Sequence, residues 1–200
     1  GSLRATVRTQ ISDLDVAQLA AFGGAADTIT GRLSGSGTFN GRGATVADAI
    51  ANAAGEGQAT ISNGSVKRLG LVRTIVLFFG RPAPDAGAST DKFDRIDATF
   101  AVVRQVVAAS ALSMRSSDLD LVGQGTLTIP MKALDGHVDV SLSEALSAQA
   151  GTDFARYTRE GNRIVLPVVV GGTLTIDSSA QGVRLEIILP LARAGARRAG

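Results

Sequence analysis

The chain has 200 residues, of which 44% are hydrophobic, so it is long and apolar enough for one large domain or two small ones. Its 20 basic and 18 acidic side chains leave a net charge of +2 without a basic stripe, which excludes an extensive nucleic-acid interface. The absence of cysteine excludes disulfides, zinc–thiolate sites and thiol catalysis, and the 24 glycines among period-two runs of Val, Ile, Leu and Thr indicate a β-rich chain.

The N-terminal segment predicts a strand followed by a helix. Apolar residues alternate with polar ones from Leu3 to Ile11, which is typical of a half-buried strand with one wet face. Asp13 is predicted to cap a helix that carries Val16 and Leu19 at helical spacing. Gly23-Gly24 is predicted to end this helix.

The next segment, Gly31 to Val66, predicts a strand, a covering helix and a hairpin. Leu33 and Phe39 share one parity of the strand with glycines between them, so its inward face is sparse and another group is expected to lie close against it. Thr45 stands three residues before Asp48, a spacing related to the capping box, and predicts the start of a short helix. Asn63-Gly64 predicts a tight hairpin turn.

An apolar segment, Leu69 to Phe79, follows. As a helix its 11 residues would extend about 16 Å, far less than a bilayer requires. Two interpretations stay open, a packed core helix and a surface that touches lipid. The prolines from Arg81 onward predict a loop that continues to about Thr90.

From Asp91 onward the sequence predicts an antiparallel meander. Four sets of alternating residues are each predicted to share a face: Ile96, Ala98, Phe100 and Val102; Val106, Ala108, Ser110, Leu112 and Met114; Leu119, Leu121, Gly123, Gly125, Leu127 and Ile129; Val138, Val140 and Leu142. The hairpin connections are predicted near Gln105, at residues 116–118 and at residues 134–136.

The C-terminal part predicts a helix and a last pair of strands. Ser141 and Glu144 have the spacing of a capping box ahead of the helix. The strands are predicted at Arg163 to Val170 and Gly182 to Leu189. Residues 1–192 are interpreted as one domain and residues 193–200 as a basic, disordered tail. The predicted fold class is α+β, a β-rich, curved and mostly antiparallel sheet with a few short covering helices.

The sequence contains no recognisable catalytic or metal-binding pattern. His137 is the only histidine and is interpreted as a structural or solvated residue of a strand. The Gly-x-Gly pairs lack the third glycine of a dinucleotide-binding fingerprint, and no phosphate-loop Gly-Lys-Ser or Gly-Lys-Thr occurs. The acidic pairs at residues 13/15, 94/97 and 118/120 lack calcium-loop spacing and are interpreted as solvated turn acids. We therefore expect no enzyme activity and no cofactor.

Three stretches resemble the C-terminal region of the AsmA family. The first is Thr45-Val-Ala-Asp-Ala-Ile50 with the following Gly55-Glu-Gly-Gln-Ala-Thr-Ile-Ser-Asn-Gly-Ser-Val66 and Leu69-Gly-Leu71. The others are Phe93-Asp-Arg-Ile-Asp-Ala-Thr-Phe100 and Leu121-Val-Gly-Gln-Gly-Thr-Leu-Thr-Ile129. The similarity covers roughly Thr28 to Leu174, and it consists of a pattern of glycines, turns and alternation rather than a catalytic signature.

This resemblance implies a periplasmic domain of a Gram-negative envelope protein that is anchored in the inner membrane by a helix outside this chain; Gly1-Ser2 is interpreted as a cloning remnant. It also implies a noncatalytic role in binding or guiding phospholipid toward the outer membrane along a curved apolar sheet. The candidate lipid contacts are Leu71, Ile75, Phe78, Phe79, Phe100, Val102, Leu112, Met114, Leu127 and Ile129. The alternatives are a scaffold domain that binds envelope proteins through an open sheet edge and an unrecognised hydrolase.

Overall fold

A computed structural model describes residues 3–22, 29–67, 90–129, 131–149, 159–173, 175–177, 182–184 and 187–188. Within these ranges the chain forms a curved, unclosed antiparallel sheet with three short helices, which confirms the predicted fold class. The long strands are β1 (Leu3–Asp15), β2 (Ile29–Gly43), β3 (Ala54–Lys67), β4 (Thr90–Val103), β5 (Val106–Arg115), β6 (Leu119–Thr128), β7 (Ala133–Leu142) and β9 (Arg163–Thr173). The short strands are β8 (Arg159–Glu160), β10 (Thr175–Asp177), β11 (Gly182–Arg184) and β12 (Ile187–Ile188), and the helices are α1 (Val16–Phe22), α2 (Val46–Ala51) and α3 (Glu144–Gln149).

Strands that follow one another in the chain lie side by side in the sheet. The order is β1-β2-β3-β4-β5-β6-β7-β9-β12, with β8 paired to β9, while β10 and β11 form a separate two-stranded ribbon. All the pairings are antiparallel, so the predicted meander from β4 to β7 is confirmed. Antiparallel neighbours need only short connections, and here the long strands follow one another in simple succession.

Residues paired across the sheet form continuous rows on one face. One row crosses seven strands through direct register partners: Val7, Phe39, Gly55, Val102, Val107, Leu127 and Leu134. A second row on the same face consists of Ile11, Gly35, Ala59, Ala98, Leu112, Gly123, Val138 and Val168. Because register partners point to the same side of a sheet, these rows define one surface, which we call the apolar face.

The core lies on the apolar face at the C-terminal end of the sheet. Its buried residues come from β6, β7 and β9: Leu119, Leu121, Val138, Val140, Leu142, Ile164, Leu166 and Val168. Leu146 of α3 packs against this cluster, and Ser147 of the same helix is 1% exposed. Helix α3 therefore covers the sheet where β7 meets β9.

The start of α2 agrees with the sequence prediction. The Thr45 hydroxyl accepts a hydrogen bond from the Asp48 N–H, and the Asp48 carboxylate accepts one from the Thr45 N–H, which makes a complete capping box. The helix lies directly on β2, because a Cβ atom built on Gly41 would meet the backbone carbonyl oxygen of Ala49. Gly41 thus permits the close approach of helix and strand.

The other two helices use different caps from those predicted. Asp15, not Asp13, accepts a hydrogen bond from the Ala17 N–H at the start of α1. Asp13 has a positive φ of 56° at an irregularity of β1 and binds Arg32 instead. At α3 the acceptor is Ser143, whose hydroxyl binds the Leu146 N–H, because Ser141 still belongs to β7. The sequence identified these helix starts to within two residues.

Two of the predicted turns lie inside strands. Asn63, with φ of 51°, marks a bulge where β3 pairs with β2, and β3 continues through Gly64 to Lys67, so the predicted hairpin was wrong. Residues 134–136 belong to β7 and pair with residues 125–127, so the predicted connection there was wrong as well. The chain turns earlier, where the Lys132 N–H donates to the Ile129 carbonyl oxygen. The connections at Gln105 and at residues 116–118 are confirmed.

A bulge in β5 also changes a predicted face. The register of β5 shifts by one residue near Ser110 against both neighbouring strands. Consequently Val107 and Ala109, rather than Val106 and Ala108, share the apolar face with Leu112. The faces predicted for the apolar residues of β4 and β7 are confirmed by the pairing.

Candidate functional site: the apolar face and the free edge of the sheet

Five of the ten candidate lipid contacts meet on the apolar face. Phe100, Val102, Leu112, Met114 and Leu127 are half-buried there, on the three adjacent strands β4, β5 and β6. Val102 pairs with Val107, which in turn pairs with Leu127, so their side chains are direct neighbours across the sheet. The structure thus brings these residues together as one surface.

The remaining candidate contacts stand apart from this group. Ile129 is 50% exposed and follows the end of β6, where its N–H donates to the Gln105 carbonyl oxygen at 2.9 Å. It belongs to a turn and not to the strand in which it was predicted. Leu71, Ile75, Phe78 and Phe79 lie outside the described residues, as do Gly23-Gly24, residues 69–79 as a whole and the tail at residues 193–200.

Aromatic rings of the same sheet partly cover the glycines that β2 and β3 place on the apolar face. A Cβ atom built on Gly57 would lie 2.9 Å from the Phe100 ring, so this ring of β4 rests on the β3 backbone. The sequence predicted that a group would lie close to these glycines but did not identify it. Because the glycines here have no side chains, this part of the apolar face carries few large side chains.

The exposure of the apolar face increases from β9 toward β1. Val140 and Ile164 are 0% exposed in the core, whereas Phe100 and Val102 are half-buried near the middle of the sheet. At the β1 end, Leu3 is 41%, Val7 50% and Ile11 36% exposed. The apolar face is therefore closed at one end of the sheet and open to solvent at the other.

Strand β1 forms a free edge. Among the described strands it pairs with β2 alone, and its residues from Leu3 to Ser12 are all exposed. A strand that pairs on one side presents a row of unpaired N–H and C=O groups on the other. Only Arg4 and Arg8 place charges on this part of the edge.

The opposite face of the sheet is polar and carries ion pairs. Arg95 donates to Asp97 at 2.6 Å, and the Thr60 hydroxyl donates to the other oxygen of the same carboxylate at 2.6 Å. These hydrogen bonds, the one from Arg95 first, lower the pKa of Asp97. Arg32 likewise lowers the pKa of Asp13 by hydrogen bonding. Each of these acids therefore has a structural partner.

A hollow of about 730 Å³ extends across the sheet from β1 to β6. Its lining includes the polar-face residues Gln58, Thr60, Asp97, Thr99 and Ser113, together with residues of the second apolar-face row: Ile11, Gly35, Ala59, Ala98, Leu112 and Gly123. The hollow thus presents hydroxyl, amide and ionic groups. Residues of both faces therefore line it.

The histidine and the predicted acidic pairs lie on or beside separate strands of the sheet. His137 is exposed on β7 between Gln124 of β6 and Val169 of β9. No group of three His, Asp or Glu side chains close enough to hold a metal ion occurs among the described residues. Asp120 is bound by Arg163 at 2.8 Å, so this acid of a predicted pair also has an ionic partner.

No family model, curated protein or solved structure matches this chain. The described part of the chain contains no helix that is both long and apolar enough to cross a membrane.

Proposed function

We propose that this chain is a noncatalytic, AsmA-like domain that binds or guides phospholipid along the apolar face of its sheet. The observation that carries the proposal is the continuity of this face, which crosses seven strands in register and becomes progressively exposed toward β1. Contiguous exposed apolar surface often marks contacts with lipid or with other proteins.

The composition of the rows suits an acyl chain. Gly35, Ala59 and Ala98 are successive register partners, so only small residues occupy the row between Ile11 and Leu112. Each methylene group that moves from water onto such a surface contributes about 0.8 kcal/mol when it is fully buried. A phospholipid tail that lies along this row would bury many methylenes without displacing a large side chain.

The location and direction in the proposal come from the sequence resemblance. We place the domain in the periplasm, within a protein anchored in the inner membrane, where it would pass phospholipid toward the outer membrane. The partners in this account are phospholipid or a membrane surface, with envelope proteins as further partners and no nucleic acid.

Two neighbouring valines of β4 provide a matched test. Val102 lies half-buried on the apolar face, whereas Val103 is 50% exposed on the opposite face. We expect Val102→Asp to reduce the phospholipid that copurifies with the domain at least severalfold, because a carboxylate is costly to bring against acyl chains. We expect Val103→Asp to leave the lipid content unchanged. Native mass spectrometry with lipid extraction measures both.

A second variant distinguishes a loss of lipid binding from misfolding of the domain. Ile11→Asp places the charge at the open end of the apolar face, where Ile11 is 36% exposed and the fold is expected to tolerate it. Circular dichroism and a cooperative thermal melt establish folding for all three variants. Equal lipid content in folded Val102→Asp, Ile11→Asp and Val103→Asp would refute the proposal.

An envelope scaffold is the second candidate function, and the exposed edge of β1 is the observation that favours it. A partner strand could add to this edge through main-chain hydrogen bonds without any use of the apolar face. A domain that carries no lipid, takes none from liposomes and melts cooperatively would favour this alternative.

A further inference from the structure

We propose that two copies of this chain pair through β1, antiparallel and centred on Val7, so that two sheets become one. This inference is independent of lipid binding, since it rests on the edge strand itself. The free edge runs from Leu3 to the irregularity between Ile11 and Leu14, and it contains no proline. No described strand pairs with β1 on the side away from β2, so its backbone groups there can form a second ladder.

The alternation of β1 restricts the register of such a pair. An antiparallel pair places directly opposite residues on the same face of the sheet. Only registers that set odd-numbered residues against odd-numbered ones keep Leu3, Val7 and Ile11 facing other residues of the apolar face. Registers that differ by one residue would set these side chains against the polar face.

The two arginines then distinguish between the remaining registers. Centring the pair on Val7 sets Leu3 against Ile11, Arg4 against Gln10 and Thr6 against Arg8 of the second copy. Centring it on Thr6 would set Arg4 against Arg8 twice, and centring it on Arg8 would set two arginines against each other. Like charges directly opposite destabilise a pair of strands. The register centred on Val7 therefore combines long overlap with the absence of arginine–arginine pairs.

The same register joins the two apolar faces. Val7 is 50% and Leu3 41% exposed, and both acquire apolar neighbours from the second copy. Each sheet continues across the twofold axis with its apolar face on the same side. The resulting surface extends across both copies, with the exposed ends of the two faces in contact.

Cysteine cross-linking tests the register directly, because the natural chain contains no cysteine. Val7→Cys places two thiols opposite each other at the axis, within the Cα separation of about 4.4 to 6.8 Å that a disulfide requires. Thr9→Cys is the matched control, since its two thiols would be about 13 Å apart along the strands. We expect Val7→Cys to form disulfide-linked dimers about tenfold faster than Thr9→Cys under mild oxidation. Equal rates, or faster cross-linking of Thr9→Cys, would overturn the proposed register.

Sedimentation of cysteine-free variants tests the dimer itself. We expect the 200-residue chain to show a concentration-dependent monomer–dimer equilibrium that Val7→Lys shifts at least tenfold toward monomer, because two ammonium groups then meet at the axis. Val122→Lys is the control, since Val122 is 62% exposed on β6 and lies on the face of the sheet opposite Val7. A strictly monomeric chain would overturn the proposal, and so would a dimer that Val7→Lys and Val122→Lys weaken equally.

Discussion

At the scale of single residues, the hydroxyl of Ser147 links α3 to the core. Ser147 is 1% exposed, and its Oγ accepts a hydrogen bond from the Ile164 N–H at 3.0 Å. We expect Ser147→Ala to lower the free energy of unfolding by about 1 to 3 kcal/mol, because the buried N–H of Ile164 loses its acceptor. Ser117→Ala, in an exposed turn, should change it by less than about 0.5 kcal/mol. Urea unfolding measures both, and equal effects would contradict this role of Ser147.

The carboxylate of Asp97 makes part of the stability dependent on pH. Its pKa is lowered in the folded state by Arg95 and Thr60, so its contribution is present above the unfolded pKa of about 3.9 and is lost as the pH falls through the folded value. The contribution is small because the side chain is 40% exposed. We expect the difference in unfolding free energy between the natural chain and Asp97→Asn to shrink as the pH falls from 7 into the acid range. We also expect Arg95→Gln to lose less stability than the natural chain over the same fall in pH. An unchanged difference across this range would contradict the assignment.

At the scale of elements, the β4–β5 turn shows how strand pairing overrides local preference. Arg104 and Gln105 both have positive φ, 45° and 66°, between the paired residues Val103 and Val106. This geometry fits a type I′ turn, which favours Asn-Gly. Replacing both residues, Arg104→Asn with Gln105→Gly, should raise the free energy of unfolding by about 0.5 to 1 kcal/mol because it relieves the left-handed strain. Denaturant unfolding tests this, and an unchanged or lower midpoint would contradict it.

The sequence predicted those elements whose signals lie within a single segment of the chain. Period-two alternation identified the faces of β4 and β7, and the spacing of Thr45 and Asp48 identified α2, because these signals lie within one element. The bulges near Asn63 and Ser110 depend on hydrogen bonds with neighbouring strands, which no single segment specifies. The apparent turn at Asn63-Gly64 therefore became a bulge.

The candidate site was predictable to a similar extent. Phe100, Val102 and Leu127 were grouped correctly because each lies on the apolar parity of a regular strand. Ile129 was misplaced because β6 ends one residue earlier, at a turn fixed by the pairing of β6 with β7. The free edge and the gradient of exposure depend on the order of strands in the sheet, which alternation within each strand does not encode.

At the scale of the whole molecule, the sheet has a closed end and an open end. The core around Val140 and Ile164, with α3 above it, anchors the fold, while the apolar face near Val7 stays exposed. An ordinary sheet domain covers its apolar face along its length, because exposed apolar area is costly in water. We infer that the open end contacts a ligand or a second copy. The proposed lipid and the proposed dimer would each cover a part of this exposed apolar surface.

The most direct test of the lipid account is native mass spectrometry of the purified 200-residue chain, followed by solvent extraction and lipid analysis. The account predicts phospholipid at a fixed ratio to protein, which added liposomes restore after delipidation. A lipid-free mass, a cooperative melt and no uptake from liposomes would contradict it.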